Sequence, residues 1–311
     1  MILITEFMDE DAVAKLAGAY RTTYAPDLAD RQSEIPAMMK GIQALVVRNR
    51  TQVTRDLVEQ TPDLRLVGRL GVGLDNIDIA ACTERGIEVA PATGANILSV
   101  AEYVVTNALV LMRGAYQANT QMVAGAWPRA DCSGREVSGR VLGLIGFGAI
   151  AQETADLARG LGMQTAAFDP FLPATHPAGK STRKLELAEL LAAADVVSLH
   201  VPLTDKTRHM IDETALKQMK SGAVLINAAR GGVVDERALA MSMRSGHLAG
   251  AALDVFETEP LTAKAAAVFD GLSDLILTPH IAGVTKESNV RVSEMIADIV
   301  IDRLERLPES R

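Results

Sequence analysis

The chain has 311 residues, 48% of them apolar, which is enough for two domains with cores of their own. Its net charge is −8 and its Lys and Arg residues are dispersed, so no basic face is available for a nucleic acid. Cys82 and Cys132 stand too far apart for a metal-ligand spacing, and no metal is expected. No run is apolar enough to span a bilayer, since even residues 97–112 include Glu102 and Asn107. The N-terminus enters a strand directly, without a basic region and cleavage site, so a soluble cytoplasmic protein is the expectation.

The first third alternates. Strands are predicted at residues 2–7, 44–48, 66–70 and 88–90, with helices at 10–18, 54–60 and 79–85 between them. Such alternation argues a parallel sheet covered by helices. A long apolar helix is predicted from residue 97 to about 124. Because it is apolar on more than one face, it is expected to be buried in a core or against a second copy in a homodimer.

The densest signal follows at residues 141–151, V-L-G-L-I-G-F-G-A-I-A. A branched apolar strand turns abruptly at Gly146 and Gly148 into a helix whose first turn holds Ala149, Ile150 and Ala151. This is the G-x-G-x-x-A pattern: the first glycine makes the turn, the second admits a pyrophosphate to the backbone, and the alanine lets helix and strand pack closely. The bare helix N-terminus offers its N–H groups to phosphate. A second strand then ends in Asp169, 23 residues after Gly146, at the spacing of a ribose-binding carboxylate. A carboxylate there repels a 2′-phosphate, which favours NAD over NADP.

Further strands are predicted at 165–168, 196–201, 223–228, 250–255 and 275–277, and a last helix at 286–307. The predicted fold is α/β, with two doubly wound parallel-sheet domains. Residues 96–284 form a Rossmann NAD domain, and residues 1–95 plus 285–311 form a smaller flavodoxin-like substrate domain, with ligands at the carboxyl ends of strands in the cleft between them. Three polar clusters follow strands of the second half: Asn227 to Gly232 with Arg230, Asp254 to Pro260 with Glu259, and Thr278 to Gly283 with His280. Taken singly, an arginine reads as a surface charge and a histidine as a structural group. Together, at strand ends beside a dinucleotide fingerprint, they read as an anion clamp and an acid–base pair.

These residues carry a resemblance. L-G-V-G-L-D-N-I-D at 70–78, the fingerprint at 143–151, S-L-H-V-P-L-T at 198–204, N-A-A-R-G-G-V-V-D-E at 227–236, A-L-D-V-F-E-T-E-P at 252–260 and P-H-I-A-G at 279–283 resemble the D-isomer-specific 2-hydroxyacid dehydrogenases in order and spacing. That family includes phosphoglycerate, glycerate and hydroxypyruvate dehydrogenases. The regulatory extension of some phosphoglycerate dehydrogenases has no counterpart in the sequence.

The resemblance implies an NAD-dependent oxidoreductase acting on a small 2-hydroxy or 2-keto acid. Arg230 would bind the substrate's carboxylate and carbonyl oxygen, His280 would protonate that oxygen as hydride arrives, and Glu259 would hold the imidazole. Formate-oxidising relatives carry Gln where this chain has Glu259. Asp254 would hold the nicotinamide amide. His200, Val201, Pro202 and Thr207 would line the adenine and ribose side, and Ala228 and Gly283 would complete the cofactor contacts. Backbone N–H groups of Val72 and Gly73 would cradle the carboxylate.

Substrate choice turns on arginines. Arg48 and Arg50 end a strand of the small domain, and Arg69 and Arg129 are further candidates. Inward-pointing cations would select a second anionic group, as in 3-phosphoglycerate or 3-sulfolactate, and the run R-N-R-T-Q-V also resembles sulfolactate-oxidising members. Surface arginines would instead suit a general hydroxypyruvate or glyoxylate reductase. A different class, the NAD-sensing corepressor that binds peptides, is the other alternative; those relatives carry long tails.

Overall fold

The computed structural model describes residues 1–116, 118–173 and 181–306. The chain divides into two compact units, Met1–Asn96 with Val284–Arg311, and Ile97–Gly283.

The first unit is a five-stranded sheet. Its strands are β1 (Ile2–Ile4), β2 (Thr22–Tyr24), β3 (Ala44–Val47), β4 (Leu66–Arg69) and β5 (Glu88–Pro91). They lie in the order β2-β1-β3-β4-β5, every pair parallel, which is the flavodoxin-like order. Helices α1 (Glu10–Ala19), α2 (Ile35–Met38), α3 (Arg55–Glu59) and α4 (Ile79–Glu84) make the crossovers.

Strand alternation explains why both faces are dry. Ile2, Ile4, Ala44, Val46 and Leu66 face one core, and Leu3, Leu45, Val47 and Val67 face the other. The first core is closed by the C-terminal helix Lys286–Arg306 through Val292, Ile296 and Val300. Strand β2, T-T-Y, was not expected from the sequence. It is short, polar and at the sheet edge, where an apolar run is not required.

The second unit opens with α5 (Ile97–Arg113), followed by the short α6 (Asn119–Val123). The single long helix expected over 97 to about 124 is therefore two. Gly114 takes φ +58, a left-handed residue that ends α5, and donates back to the Val110 carbonyl at 3.1 Å. Val104, Ala108, Leu111 and Met112 of α5 lie in the unit's own core.

Seven parallel strands follow: β6 (Val141–Ile145), β7 (Gln164–Phe168), β8 (Thr182–Lys184), β9 (Val196–Leu199), β10 (Val224–Asn227), β11 (Gly250–Leu253) and β12 (Leu275–Leu277). Their order is β12-β11-β10-β9-β6-β7-β8, the dinucleotide-binding order with one strand added at an edge. Strand β8, T-R-K, is another polar edge strand that the sequence reading missed. Helices α7 (Ala149–Gly160), α8 (Leu187–Ala193), α9 (Glu213–Gln218), α10 (Glu236–Arg244) and α11 (Ala263–Ala266) complete the unit.

The sheet order reverses between β6 and β9, so a crevice opens at their carboxyl ends, beside the glycine turn. Among the described residues, no helix is long and apolar enough to cross a membrane. No group of three His, Cys, Asp or Glu side chains among them is arranged to hold a metal ion.

Candidate active site

The turn after β6 is built for a close approach. Gly146 sits at φ +86, and a Cβ there would stand 2.6 Å from the His200 carbonyl oxygen, so glycine is obligatory for the protein's own packing. Gly148 differs: a Cβ on it would meet nothing within 4 Å. Its glycine is therefore not demanded by the fold, and it leaves clear the space in front of α7. Gly148 is the N-cap of α7, no side chain caps that terminus, and its first turn holds no acid. Ala149 is exposed and Ile150 half-buried there, while Ala151 is fully buried against the sheet. Bare N–H groups, a positive dipole end and an open backbone are what a pyrophosphate requires.

Asp169 follows β7. One carboxylate oxygen accepts from the Phe147 N–H inside the glycine turn (2.9 Å), and the other accepts from the Phe171 N–H (2.8 Å). The carboxylate thus stands at the turn itself, half-buried. His200 and Val201 follow β9. The His200 Nε2 lies 3.0 Å from the Ser198 hydroxyl, and burial pushes its imidazole down to about 4, so it is neutral at physiological pH. Pro202 and Thr207 close the next turn, the Thr207 hydroxyl donating to the Pro202 carbonyl at 2.6 Å.

Three loops at the ends of β10, β11 and β12 carry the expected acid–base residues. After β10, Asn227 shapes the loop. Its Oδ1 accepts from the Ala229 N–H (3.1 Å), and its Nδ2 donates to the Arg230 carbonyl (2.9 Å). Ala228 and Arg230 are half-buried, and an Arg230 Nη1 donates to the Ala229 carbonyl at 2.6 Å. Gly231 brings this loop against the next, since a Cβ there would fall 1.8 Å from the Phe256 carbonyl oxygen.

After β11, Asp254 is 1% exposed and spends its carboxylate on the third loop. Oδ1 accepts from the Thr278 hydroxyl (2.5 Å) and the Ile281 N–H (2.8 Å), and Oδ2 accepts from the Ala282 N–H (2.7 Å). Thr278 is held in turn by the Tyr103 hydroxyl at 2.7 Å, and burial pushes that phenol up to about 12, so it stays neutral. The loop so fixed presents His280 at φ +56, a left-handed conformation uncommon outside glycine, with Gly283 half-buried beyond it.

His280 Nδ1 meets Glu259 Oε2 at 2.7 Å, while Glu259 Oε1 accepts from the Phe256 N–H at 3.0 Å. Burial pushes the Glu259 carboxyl up. The His280 bond, the Phe256 N–H and the charges of His280 and Arg230 outweigh it and hold the group below the usual carboxylate range. The structure therefore brings Arg230, Glu259 and His280 into one electrostatic group. With Nδ1 committed to a carboxylate, Nε2 is the imidazole atom left to exchange a proton.

In the first unit, the candidate substrate residues sit on the turns after β3 and β4. Val72 is exposed and Gly73 half-buried, and neither backbone N–H has an acceptor among the described residues. Arg69 lies over its own turn, Nη1 donating to the Leu70 carbonyl at 3.0 Å. Arg48 is half-buried and donates to Asn289 Oδ1 at 2.7 Å; burial pushes its guanidinium down, partly offset by the Glu6 charge. Arg50 is exposed and paired with Asp30, and Arg129 is exposed in the second unit.

The organiser of the Arg48 loop is Glu6, 4% exposed, whose carboxylate accepts from the N–H groups of Arg48 (2.8 Å), Arg50 (3.1 Å) and Thr51 (2.9 Å). Neither Glu6 nor Tyr103 was singled out from the sequence, and Thr278 was named only as the first residue of the His280 cluster. The Arg48 N–H lies 42 residues from Glu6 and Thr278 lies 175 from Tyr103, and no local pattern marks these pairs.

The model of the D-isomer specific 2-hydroxyacid dehydrogenase NAD-binding domain matches residues 105–282. The chain is 55% identical to the (S)-sulfolactate dehydrogenase of Chromohalobacter salexigens over 300 residues, covering 96% of each chain. The chain belongs to the D-isomer-specific 2-hydroxyacid dehydrogenase family. As a member of it, the chain is an NAD-dependent oxidoreductase of 2-hydroxy acids. It is also 38% identical to the hydroxypyruvate reductase of Thermotoga maritima, covering 88% of each chain. The D-3-phosphoglycerate dehydrogenase of Methanocaldococcus jannaschii is 37% identical over 96% of this chain, which spans only 56% of that protein. Among solved structures, the D-lactate dehydrogenase of Aquifex aeolicus complexed with NAD and lactic acid superposes with a TM-score of 0.87 at 29% identity, covering 98% of this chain and 96% of that one.

Proposed function

We propose that this dehydrogenase interconverts (S)-sulfolactate and its 2-keto acid, with Arg230, Glu259 and His280 as its working residues. The observation that carries the chemistry is the 2.7 Å contact of His280 Nδ1 with Glu259 Oε2, in one electrostatic group with Arg230. A nicotinamide cofactor held at the Gly146–Gly148 turn would supply and accept the hydride. The Arg230 guanidinium holds the carboxylate and polarises the keto oxygen through its planar fork of donors. His280 Nε2 delivers its proton to that oxygen as the C2–H bond forms, and takes it back when the alcohol is oxidised. Glu259 keeps Nδ1 protonated, so that the proton moves only at Nε2.

The cofactor assignments rest on the turn geometry. The bare α7 terminus and the clear space at Gly148 suit the pyrophosphate, and Asp169 suits two ribose hydroxyls while repelling a 2′-phosphate. Ala149, Ile150, His200, Val201, Pro202, Thr207, Ala228 and Gly283 are assigned to the rest of the cofactor. Asp254 first fixes the His280 loop, and its remaining acceptor capacity is available to the nicotinamide amide.

For the substrate, the 55% identity over nearly all of both chains favours sulfolactate, and Arg48 is the cation assigned to the sulfonate. Arg69 braces the Val72–Gly73 turn, whose N–H groups are assigned to the carboxylate. A general hydroxypyruvate reductase is the second reading, favoured by the bond that already engages Arg48 with Asn289.

A homodimer is part of the proposal. Supporting it, the segment after α5 exposes Tyr116 (62%), Val123 (90%) and Trp127 (77%). A cytoplasmic setting suits the free thiols of Cys82 and Cys132.

The test is NADH oxidation against sulfopyruvate, phosphohydroxypyruvate, hydroxypyruvate, glyoxylate and pyruvate. The expected result is a kcat/KM for sulfopyruvate well above that for hydroxypyruvate. Equal rates on the two would support the general reductase, and turnover of none would return the corepressor alternative.

A further inference from the structure

Behind the Arg230 and Glu259 loops lies a second pair of acids that the reaction does not use. Glu236 opens α10 and is 8% exposed. Its backbone N–H donates to Glu257 Oε1 at 3.2 Å, and the Glu257 backbone N–H donates to Glu236 Oε1 at 2.7 Å. The contact is reciprocal, each side chain closing on the other's backbone across 21 residues of chain. Glu257 Oε1 also lies 3.3 Å from His209 Nε2, and the His209 N–H donates to the Gly232 carbonyl at 2.7 Å. Thus one cluster ties the turn around His209, the loop carrying Arg230 and the loop carrying Glu259. The α10 N-terminus itself is capped by Asp235, which accepts from Arg237 and Ala238, so Glu236 is not needed as a cap.

We infer that the Glu236–Glu257 clasp, with His209 against it, is a positioning device that sets Glu259 on His280 and Arg230 relative to both. Glu257 is two residues from Glu259, so a shift of one carries the other. Glu236 enters the clasp through Oε1, the acceptor of the Glu257 N–H. Burial, reinforced by the Glu257 and Glu259 charges, pushes its carboxyl up, against the Glu257 N–H bond and the His209 charge. Glutamine keeps an Oε1 acceptor for that N–H; alanine removes it.

The inference rests on the acid–base roles given above to Glu259 and His280, and its test separates the two. Glu236→Ala and Glu236→Gln are compared with the parent in the full-length protein. The expected result is a fall in kcat of about tenfold or more in the alanine variant, since small misplacements of a positioned group cost up to about 10²-fold. NADH binding measured by calorimetry stays within about twofold, because none of Glu236, Glu257 and His209 is among the residues assigned to the cofactor, and Glu236→Gln restores the rate.

A readout free of turnover is the low-field Nδ1 proton resonance of His280 in the cofactor-free protein. It should be lost in Glu236→Ala and retained in Glu236→Gln and in Glu257→Gln, which keeps an Oε1 acceptor. An unchanged rate and resonance in Glu236→Ala would overturn the clasp. So would a loss that glutamine does not rescue, or one shared equally by NADH affinity. If the alanine variant does not fold, loss of the resonance in both glutamine variants overturns it equally. A parent enzyme inactive on every acid of the panel would sink the functional reading, while the resonance would still decide the clasp.

Discussion

Glu6 in the first unit and Asp254 in the second occupy comparable places and do comparable work. Each is a nearly fully buried acid just past the carboxyl end of a strand, and each spends its oxygens on donors of a neighbouring loop. Glu6 gathers the backbone of residues 48–51 and so presents Arg48. Asp254 gathers residues 278–282 and so presents His280. The difference lies in the strain of what is held. The Asp254 loop holds His280 at φ +56, and the Tyr103–Thr278 chain reinforces it, whereas the Glu6 loop ends in an arginine with a second tether at Asn289. Under the roles proposed above, His280 delivers a proton and Arg48 offers a charge, and proton transfer demands tighter geometry than Coulomb attraction.

The comparison can be broken at several points. Removing what Asp254 holds has the largest expected effect: His280→Ala should lower kcat about 10²–10⁴-fold with NADH affinity retained. Unchanged turnover would mean that another group carries the proton. Removing the holder comes next. Asp254→Asn leaves buried donors poorly matched and should cost roughly 2–3 kcal/mol of stability by denaturant unfolding, together with most of kcat. A stable, fully active variant would show that the loop holds its shape unaided.

Glu6→Gln, the counterpart in the first unit, should cost about 1–2 kcal/mol. It should raise KM for sulfopyruvate more than for hydroxypyruvate; an equal rise for both would remove Arg48 from substrate choice. Asp169→Ala takes away a carboxylate that also holds a turn, and should narrow the preference for NADH over NADPH by about tenfold, one unpaired charge in a partly solvated site. Identical cofactor ratios in parent and variant would clear Asp169 of that role.

The smallest effect is one of pH. The Glu259 carboxyl is held below its usual range, so its contribution to stability is present above its unfolded pKa of about 4.3 and is lost as pH falls through the folded value. The melting-temperature difference between the parent and Glu259→Gln should therefore shrink on acidification below about pH 4. A difference that grew there would reverse the sign of the assigned shift.

The sequence displays the presented residues far better than the holders. Gly146, Gly148, Arg230, Glu259 and His280 stand at strand ends in patterns visible over a few residues, because turn sterics and phosphate approach act locally. The parallel sheets were legible for the same reason, their buried strands being short apolar runs between helical periods. Strands β2 and β8 were not, since an edge strand of T-T-Y or T-R-K needs no apolar residue. Nor did the mixed stretch past Arg113 reveal that Gly114 would turn left-handed and end the helix. Glu6 and Tyr103 read as ordinary polar residues, and Thr278, Glu236 and Glu257 stood inside the motifs without roles of their own, because each becomes significant only when folding brings a distant partner to it.

The C-terminal helix has a consequence for synthesis. Ile296 and Val300 complete the core that Ile2, Ile4 and Val46 begin, so the segment made first waits for the segment made last. The contiguous stretch from Ile97 to Gly283 has every strand of its own sheet by the time the ribosome reaches residue 283. The nucleotide-binding unit needs no residue past 283, whereas the unit encoded before it stays incomplete until residues 292–304 are available, a departure from the usual N-terminal-first order. A truncation just before Lys286 should leave the apolar face of that first sheet bare and make it a client for chaperones.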